Sequence, residues 1–462
     1  MYMECLCNSK YFFRAVAFFL FLCFLQPGFA QVIMQKKWER IIAVDPFPSR
    51  INETVIALDA HKNTYLLIRG TIDSLSMGCQ LFKFDSSGAI LWERNIEYLY
   101  GIQNAHYRSF LVDSIGNAYV GTHNWINYSP DFDAILTKFS PEGTKLWEVN
   151  YSFGIIGSKY FNNLAFDTTG RIIAVGEIMG RPIESGDNVG EVGPDDPSWF
   201  AVAIDTSDGK VLWKTICTTP GEYAPMNLRL HADRIEVLSL RYVSSKDVYL
   251  IITQIDFQGH VLEEHEKLLA DNYFINSYIC KNGDILLAHW HGGYAVTKLN
   301  QRGDSLWQFR PDASFCPYTE RVMALIEDDA ANVYTTGSIC IDSTMRQLTA
   351  KLGQDGALIW QNISADTVGL EYAQGNGICL DNGKVIVAGG TRIDDCSTGT
   401  LTVFKAHGRD GGSPELLIGS DSEISSFFWQ TVMSGNNLYL LGENIDHPQG
   451  NYFSISCFQL NN

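Results

Sequence analysis

Five copies of one phrase recur along this chain: a β-prone run, a turn ending in Gly, three residues, then Trp. They read KFDSSGAILW (Lys83–Trp92), KFSPEGTKLW (Lys138–Trp147), AIDTSDGKVLW (Ala203–Trp213), KLNQRGDSLW (Lys298–Trp307) and KLGQDGALIW (Lys351–Trp360). Two degraded copies fall in the gaps, QIDFQGHVLE (Gln254–Glu263) and FKAHGRDGGSPEL (Phe404–Leu416). A repeat of this length is one supersecondary unit that buries its apolar faces by stacking on the next copy. The fold must therefore be modular.

Between these phrases lies a second hairpin, as in LVDSIGNAYVGT (Leu111–Thr122), AFDTTGRIIAVGE (Ala165–Glu177) and CLDNGKVIVAGG (Cys379–Gly390). Each is a β-rich run, a tight Asp/Asn/Gly turn and a second β-rich run. Two hairpins make four strands, the content of one propeller blade. Seven complete units follow one another, and an eighth, from about residue 428, has only three strands. The missing strand is at the other end of the chain, where KKWERIIAV (Lys36–Val44) mirrors LWERNI (Leu91–Ile96). The reading is an all-β, eight-bladed propeller whose last blade is closed by the N-terminal strand, with seven blades as the alternative. The markers of the fourth strands run from Trp38 to Leu416 with a mean step of about 54 residues. The repeated Trp reads as a wedge between neighbouring blades, burying roughly 200 Å².

Residues 1–30 read as a secretory signal. Lys10 and Arg14 precede the apolar run Ala15–Leu25, and Gly28-Phe29-Ala30 supplies the small residues of a cleavage site before Gln31. The expected mature domain is 31–462, exported to the periplasm, the cell surface or the medium, without stable membrane insertion once the signal is removed. Losing Lys10, Arg14 and Glu4 takes the net charge from −18 to −19. So acidic a surface repels phosphate backbones and argues against nucleic acid as a partner. Eight of the 11 Cys remain in the mature chain, with no CxxC pair and so no zinc-ligand spacing. Cys316 lies in the connection before the sixth blade and Cys340 directly follows that blade's second strand, which places both on one face and makes them the candidate disulfide.

The phrase resembles two repeat families. AIDTSDGKVLW is similar to the quinoprotein docking repeat, with Ala203, Gly209 and Trp213 at the first, seventh and eleventh positions. The other copies, with LVDSIGNAYVGT, look more like the bacterial secreted β-propeller repeat, and this resemblance covers nearly the whole mature chain. It implies the propeller fold, and function belongs to sites rather than folds. A quinone-dependent dehydrogenase of that superfamily implies an adjacent Cys pair and a Ca²⁺ site; no two Cys are adjacent here.

Short turns trim one face of such a disc, and the longer connections fall on the other, where loops carry specificity. On that side Asn163, Asn276 and Asn376 each stand seven residues before a hairpin Gly, and Asn227 falls in register in a shorter turn. Tyr160, Tyr223, Tyr273 and Tyr372 precede them by three or four residues. A ring of amides and phenols suits a sugar or a peptide; the competing reading makes these Asn struts to neighbouring blades. His289 and His291 share a strand face, with no third metal ligand evident. The acidic insertion Ile178–Ser198 lacks calcium-loop spacing. No G-x-S-x-G, phosphate loop or dinucleotide fingerprint is present. The sequence points to a non-catalytic propeller that binds a protein, glycan or surface polymer through its loop-rich face, without a cofactor or metal. The alternative is a quinone-dependent or polysaccharide-acting enzyme.

Overall fold

Each Gly-Trp phrase folds into the outer hairpin of a four-stranded antiparallel sheet, and the hairpin preceding it supplies the inner two strands. The computed structural model describes residues 34–460 except 44–52, 72–75, 100–108, 124–131, 155–157, 180–198, 218–221, 243–246, 270–273, 290–292, 312–319, 365–369, 394–395, 407–413, 420–426 and 445–451. Among these residues there is no helix.

Sheet 1 runs Glu53–Leu58, Thr64–Thr71, Ser76–Phe84 and Ile90–Leu99, in that spatial order. Sheet 2 begins at Phe110–Val112 and ends at Lys145–Tyr151; sheet 3 begins at Ser158–Phe166 and ends at Val211–Ile216. Sheet 4 spans Glu222–Leu230 to Val261–Leu269, and sheet 5 spans Phe274–Ile279 to Ser305–Phe309. Sheet 6 runs Arg321–Glu327, Val333–Ile341, Thr344–Leu352 and Leu358–Ile363. Sheet 7, from Leu370–Asp381 to Pro414–Gly419, touches it through one parallel bridge, Met345 to Tyr372. Sheet 8 takes Phe427–Ser434, Asn437–Asn444 and Tyr452–Leu460 from the C-terminal region and Met34–Ala43 from the N-terminal region. That last pairing is antiparallel, from Met34 opposite Leu460 to Ala43 opposite Tyr452.

These sheets resemble propeller blades, and each shares an apolar core with the next. Sheets 1 and 2 bury Tyr65, Trp92, Phe110 and Val120 together. Sheets 8 and 1 do the same with Trp38, Ile56, Phe82, Tyr439 and Phe453. The first strands of consecutive sheets touch one another, so they lie on the inside of the arrangement.

The phrase has a geometric explanation that spans two copies. The Trp of one sheet reaches the Gly turn of the next. Trp38 Nε1 donates to the Ser86 carbonyl at 3.0 Å, Trp92 to Pro141 at 2.8 Å, Trp213 to Phe257 at 2.9 Å and Trp307 to Gln354 at 2.9 Å. At Gly88, with φ +81°, a Cβ would lie 2.5 Å from the Trp38 indole, and at Gly356, with φ +79°, 2.6 Å from Trp307. Both the left-handed backbone and the overlying ring therefore demand Gly. The residue before each Trp is a β-bulge: Lys83 pairs with Trp92 and Phe84 with Ile90, which skips Leu91. Leu146, Leu212, Leu262, Leu306 and Ile359 are skipped in the same way. The bulge aims the Trp inward and turns its neighbour to solvent, which also interrupts an outer edge open to pairing.

The first-to-second and third-to-fourth-strand turns occupy one end of each sheet, short except for residues 406–413 of sheet 7, and the connections between second and third strands and between sheets occupy the other. At the short end Asp carboxylates tie the turns: Asp113 Oδ1 accepts the Ile115 and Asn117 N–H at 3.1 and 2.8 Å. Buried Lys83 donates to the Pro141 carbonyl at 2.9 Å and lies over the Tyr65 ring, as Lys351 does with Ala406 at 2.6 Å and the Tyr334 ring. Desolvation lowers the pKa of both lysines, with Asp59 and Asp328 respectively opposing it.

The candidate disulfide cannot be followed, because Cys316 lies outside the described residues. Cys340 falls inside the second strand of sheet 6, opposite Met345, not after it. Its N–H donates to Glu320 Oε1 at 3.0 Å. The signal segment, His291 and nearly all of the acidic insertion also lie outside the described residues.

Candidate functional site

Toward the loop-rich end, the inner strands carry polar side chains that no turn explains, among them Arg321, Gln374 and Asn376. Most first strands carry a bulge near that end, between Phe161 and Asn163, Pro225 and Asn227, Phe274 and Asn276, Val322 and Ala324, Gly375 and Gly377, and Phe428 and Gln430. The expected amide ring is therefore only partly in register. Asn163, Asn227 and Asn276 are the residues just after the bulge. Asn376 is the bulged residue itself, and Gly377 takes the matching position. The two-residue turn Asn382-Gly383 stands where sheet 3 has the five residues 167–171, so counting back from its Gly overshoots by one.

Two of the amides are tied to the neighbouring sheet. Asn227 Nδ2 donates to the Ser277 carbonyl at 3.2 Å, and Asn376 Nδ2 to the Phe428 carbonyl at 2.9 Å. Gln430 does the equivalent across the junction of sheets 8 and 1, accepting the Ile56 N–H at 2.9 Å. Asn163 is buried, and Asn276 is fixed by its backbone pairing with Ala288. Blade-to-blade struts account for these contacts directly.

The tyrosines disperse. Tyr160 is half buried in an aromatic group with His123 and Phe132, with ring centroids 4.9 Å from each, and burial pushes its phenol up to about 12. Beside it Lys159 is fully buried and pairs with Asp133 at 3.1 Å. Tyr223 is placed by its backbone opposite Arg241, and Tyr273 lies outside the described residues. Tyr372 sits beyond the bulged segment, opposite Arg392; burial raises its phenol and a hydrogen bond to Arg321 opposes this.

The structure adds Arg321 and Gln374, which hold the register of Tyr160 in sheets 6 and 7. Each pairs one position before the residue opposite a Gly: Tyr160 with Glu177, Arg321 with Ser338, Gln374 with Gly390. They form a chain across three sheets. Arg321 Nη2 donates to Gln374 Oε1 at 3.1 Å, Gln374 Nε2 to Asn376 Oδ1 at 2.5 Å, and Asn376 to the Phe428 carbonyl. The residue after Phe428 is Trp429, which is 37% exposed. The sequence held one signal for Arg321: it stands three residues before Ala324, as Tyr160 does before Asn163. Nothing in the spacing marks Gln374.

His289 is buried with Nε2 2.8 Å from Thr297 Oγ1, an internal contact. No group of three metal-ligating side chains comes together among the described residues.

No family model matches the chain, and no curated protein does. Among solved structures it is similar to the WD40 domain of SCAP from fission yeast, at 12% identity over 90% of this chain and 94% of that one, with TM-score 0.45. Chaetomium thermophilum Sqt1 matches at 11% identity over 90% and 97%, with TM-score 0.46. The polysaccharide lyase Uly1 matches at 9% identity over 79% and 92%, with TM-score 0.42. The propeller-like architecture described above rests on strand pairing and sheet packing, not on these likenesses.

Proposed function

We propose that this chain is an exported, eight-bladed β-propeller that binds a ligand, a glycan or a protein, through the loop-rich end of its inner strands. The single observation carrying this reading is the segregation of connections. The turns at one end are mostly short and several are tied by an Asp carboxylate, whereas the other end holds the connections between sheets, most of the longer second-to-third-strand connections and the Arg321–Gln374–Asn376 chain. A rigid stack of sheets presenting loops on one side is the arrangement in which loops carry recognition. The eight-bladed count draws support from the shared core between sheets 8 and 1. Export draws support from the N-terminal pattern alone, and N-terminal sequencing of protein recovered outside the cytoplasm should begin at Gln31.

The test is a binding screen against immobilised glycans and surface proteins, followed by hydrogen-exchange mapping of any hit. Protection should fall on the second-to-third-strand connections and the inner-strand ends. Protection on the Asp-capped turns would overturn the assignment, and catalytic turnover of a bound polysaccharide would replace it with an enzymatic one.

A further inference from the structure

We infer that the group recognised at this end is a carboxylate held by Arg321, and that the ligand is an acidic sugar; the inference rests on the binding reading above. Arg321 heads the first strand of sheet 6 in a half-buried position. Among the described residues its hydrogen-bond partners are neutral, the Gln374 amide at 3.1 Å and the Tyr372 phenol. Its Nε is buried and has no hydrogen-bond partner among the described residues. The adjacent carboxylate, Glu320, is buried and accepts the Cys340 N–H. Three other arginines meet a carboxylate, Arg171 with Asp167, Arg241 with Glu266 and Arg392 with Glu371, whereas Arg94 and Arg229 meet backbone carbonyls. A partly desolvated guanidinium without an anion is costly, and two parallel N–H···O bonds to a carboxylate remove that cost.

The guanidinium is also held in place. Gln374 is fully buried, and its Nε2 is committed to Asn376, so its carbonyl oxygen is left to accept from Arg321. Asn376 is fixed in turn by the Phe428 carbonyl at 2.9 Å. Neither amide can rotate without breaking the chain. Past Phe428, the exposed indole of Trp429 supplies an apolar face of the kind that packs on a pyranose ring. The net charge of −18 disfavours polyanions such as nucleic acid or polyphosphate.

The experiment compares methyl glucuronide, methyl glucoside and N-acetyl-aspartate by ligand-observed NMR titration against the wild-type chain, Arg321→Gln and Arg321→Lys. The glucuronide should bind at least about tenfold more tightly than either competitor. Arg321→Gln should abolish that preference, and Arg321→Lys, which keeps the charge but loses the fork, should weaken it about tenfold with the melting temperature unchanged. Equal binding of glucoside and glucuronide, or an unchanged preference in Arg321→Gln, overturns the carboxylate assignment while the loop-end binding reading stands. Tighter binding of N-acetyl-aspartate overturns the sugar. If none of the three binds while a ligand from the screen maps to the same end, the inference fails alone; if the screen is also empty, both fail. Should Arg321→Gln not fold, the Arg321→Lys titration decides.

Discussion

At the scale of single residues, the strongest determinants are side chains that act on the neighbouring sheet rather than their own. Trp307 illustrates this: its indole covers Gly356 and caps the Gln354 carbonyl of sheet 6. Trp307→Ala removes both and should cost about 3 kcal/mol in chemical denaturation. A loss below about 1 kcal/mol would show that the ring is not a wedge. The strut residues should behave similarly on a smaller scale. Asn376→Ala frees the Phe428 carbonyl and the Gln374 amide, for an expected loss of about 1–3 kcal/mol. Glu236 offers a pH readout. It is buried in the second strand of sheet 4, and desolvation raises its pKa against the opposing charges of Arg229 and Arg234, with His231 Nε2 3.5 Å away. His231 itself is lowered by burial and by the same two arginines, with Asp233 opposing. A raised carboxylate pKa means that Glu236 contributes most below its ordinary value of 4.5 and that this contribution is lost as pH rises through the folded value. Glu236→Gln should therefore match the wild type near pH 4 and melt higher at pH 8; a constant offset at both pH values would contradict the shift.

At the scale of elements, the departures from the repeat locate the weak junctions. Sheet 4 has Glu263, and sheet 7 Leu416, where the others have Trp, and the nearest side-chain atoms at the facing turn of Gly303 belong to Lys267 and Ile252. Glu263→Trp restores the wedge and should raise the melting temperature, equivalent to about 1 kcal/mol. A lower melting temperature would mean that the junction between sheets 4 and 5 has been repacked around its charges. The N-terminal strand is the other sensitive element. Deleting Met34–Ala43 strips sheet 8 of its outer strand and uncovers the edge at Ile455 and Cys457. Aggregation or a large loss of stability is expected, and a truncated chain melting at the wild-type temperature would overturn it. This pairing was legible in sequence, because the Trp-Glu-Arg of residues 38–40 matches that of 92–94. The bulge at Leu91 was not. Its signature, an aliphatic residue before Trp, reads as ordinary strand alternation until the pairing skips it.

At the scale of the whole molecule, every apolar sheet face is covered by a neighbour, so reagents should reach the interior only when sheets separate. Cys280 and Cys379 report on this, since burial pushes both thiols up to about 12. Neither should react with a thiol reagent at pH 8 until denaturant opens the stack, and rapid alkylation of the native protein would show a looser assembly.

Sequence by itself determined the architecture. Hairpin turns need Gly at positive φ, and strands need alternating or continuous apolar runs, so both leave local marks that a repeat amplifies. It also determined the pairing of the chain's two ends, because the N-terminal strand keeps the motif of the strands it imitates. Only the tertiary structure decided what the inner-strand residues do. A bulge or a turn shorter by one shifts the register, which moved Asn376 out of line with Asn163 and put Arg321 in the place of a Tyr. Whether an Asn faces a ligand or a neighbouring carbonyl depends on the sheet packed beside it, and that neighbour lies some fifty residues away in the chain, as Ser277 does for Asn227.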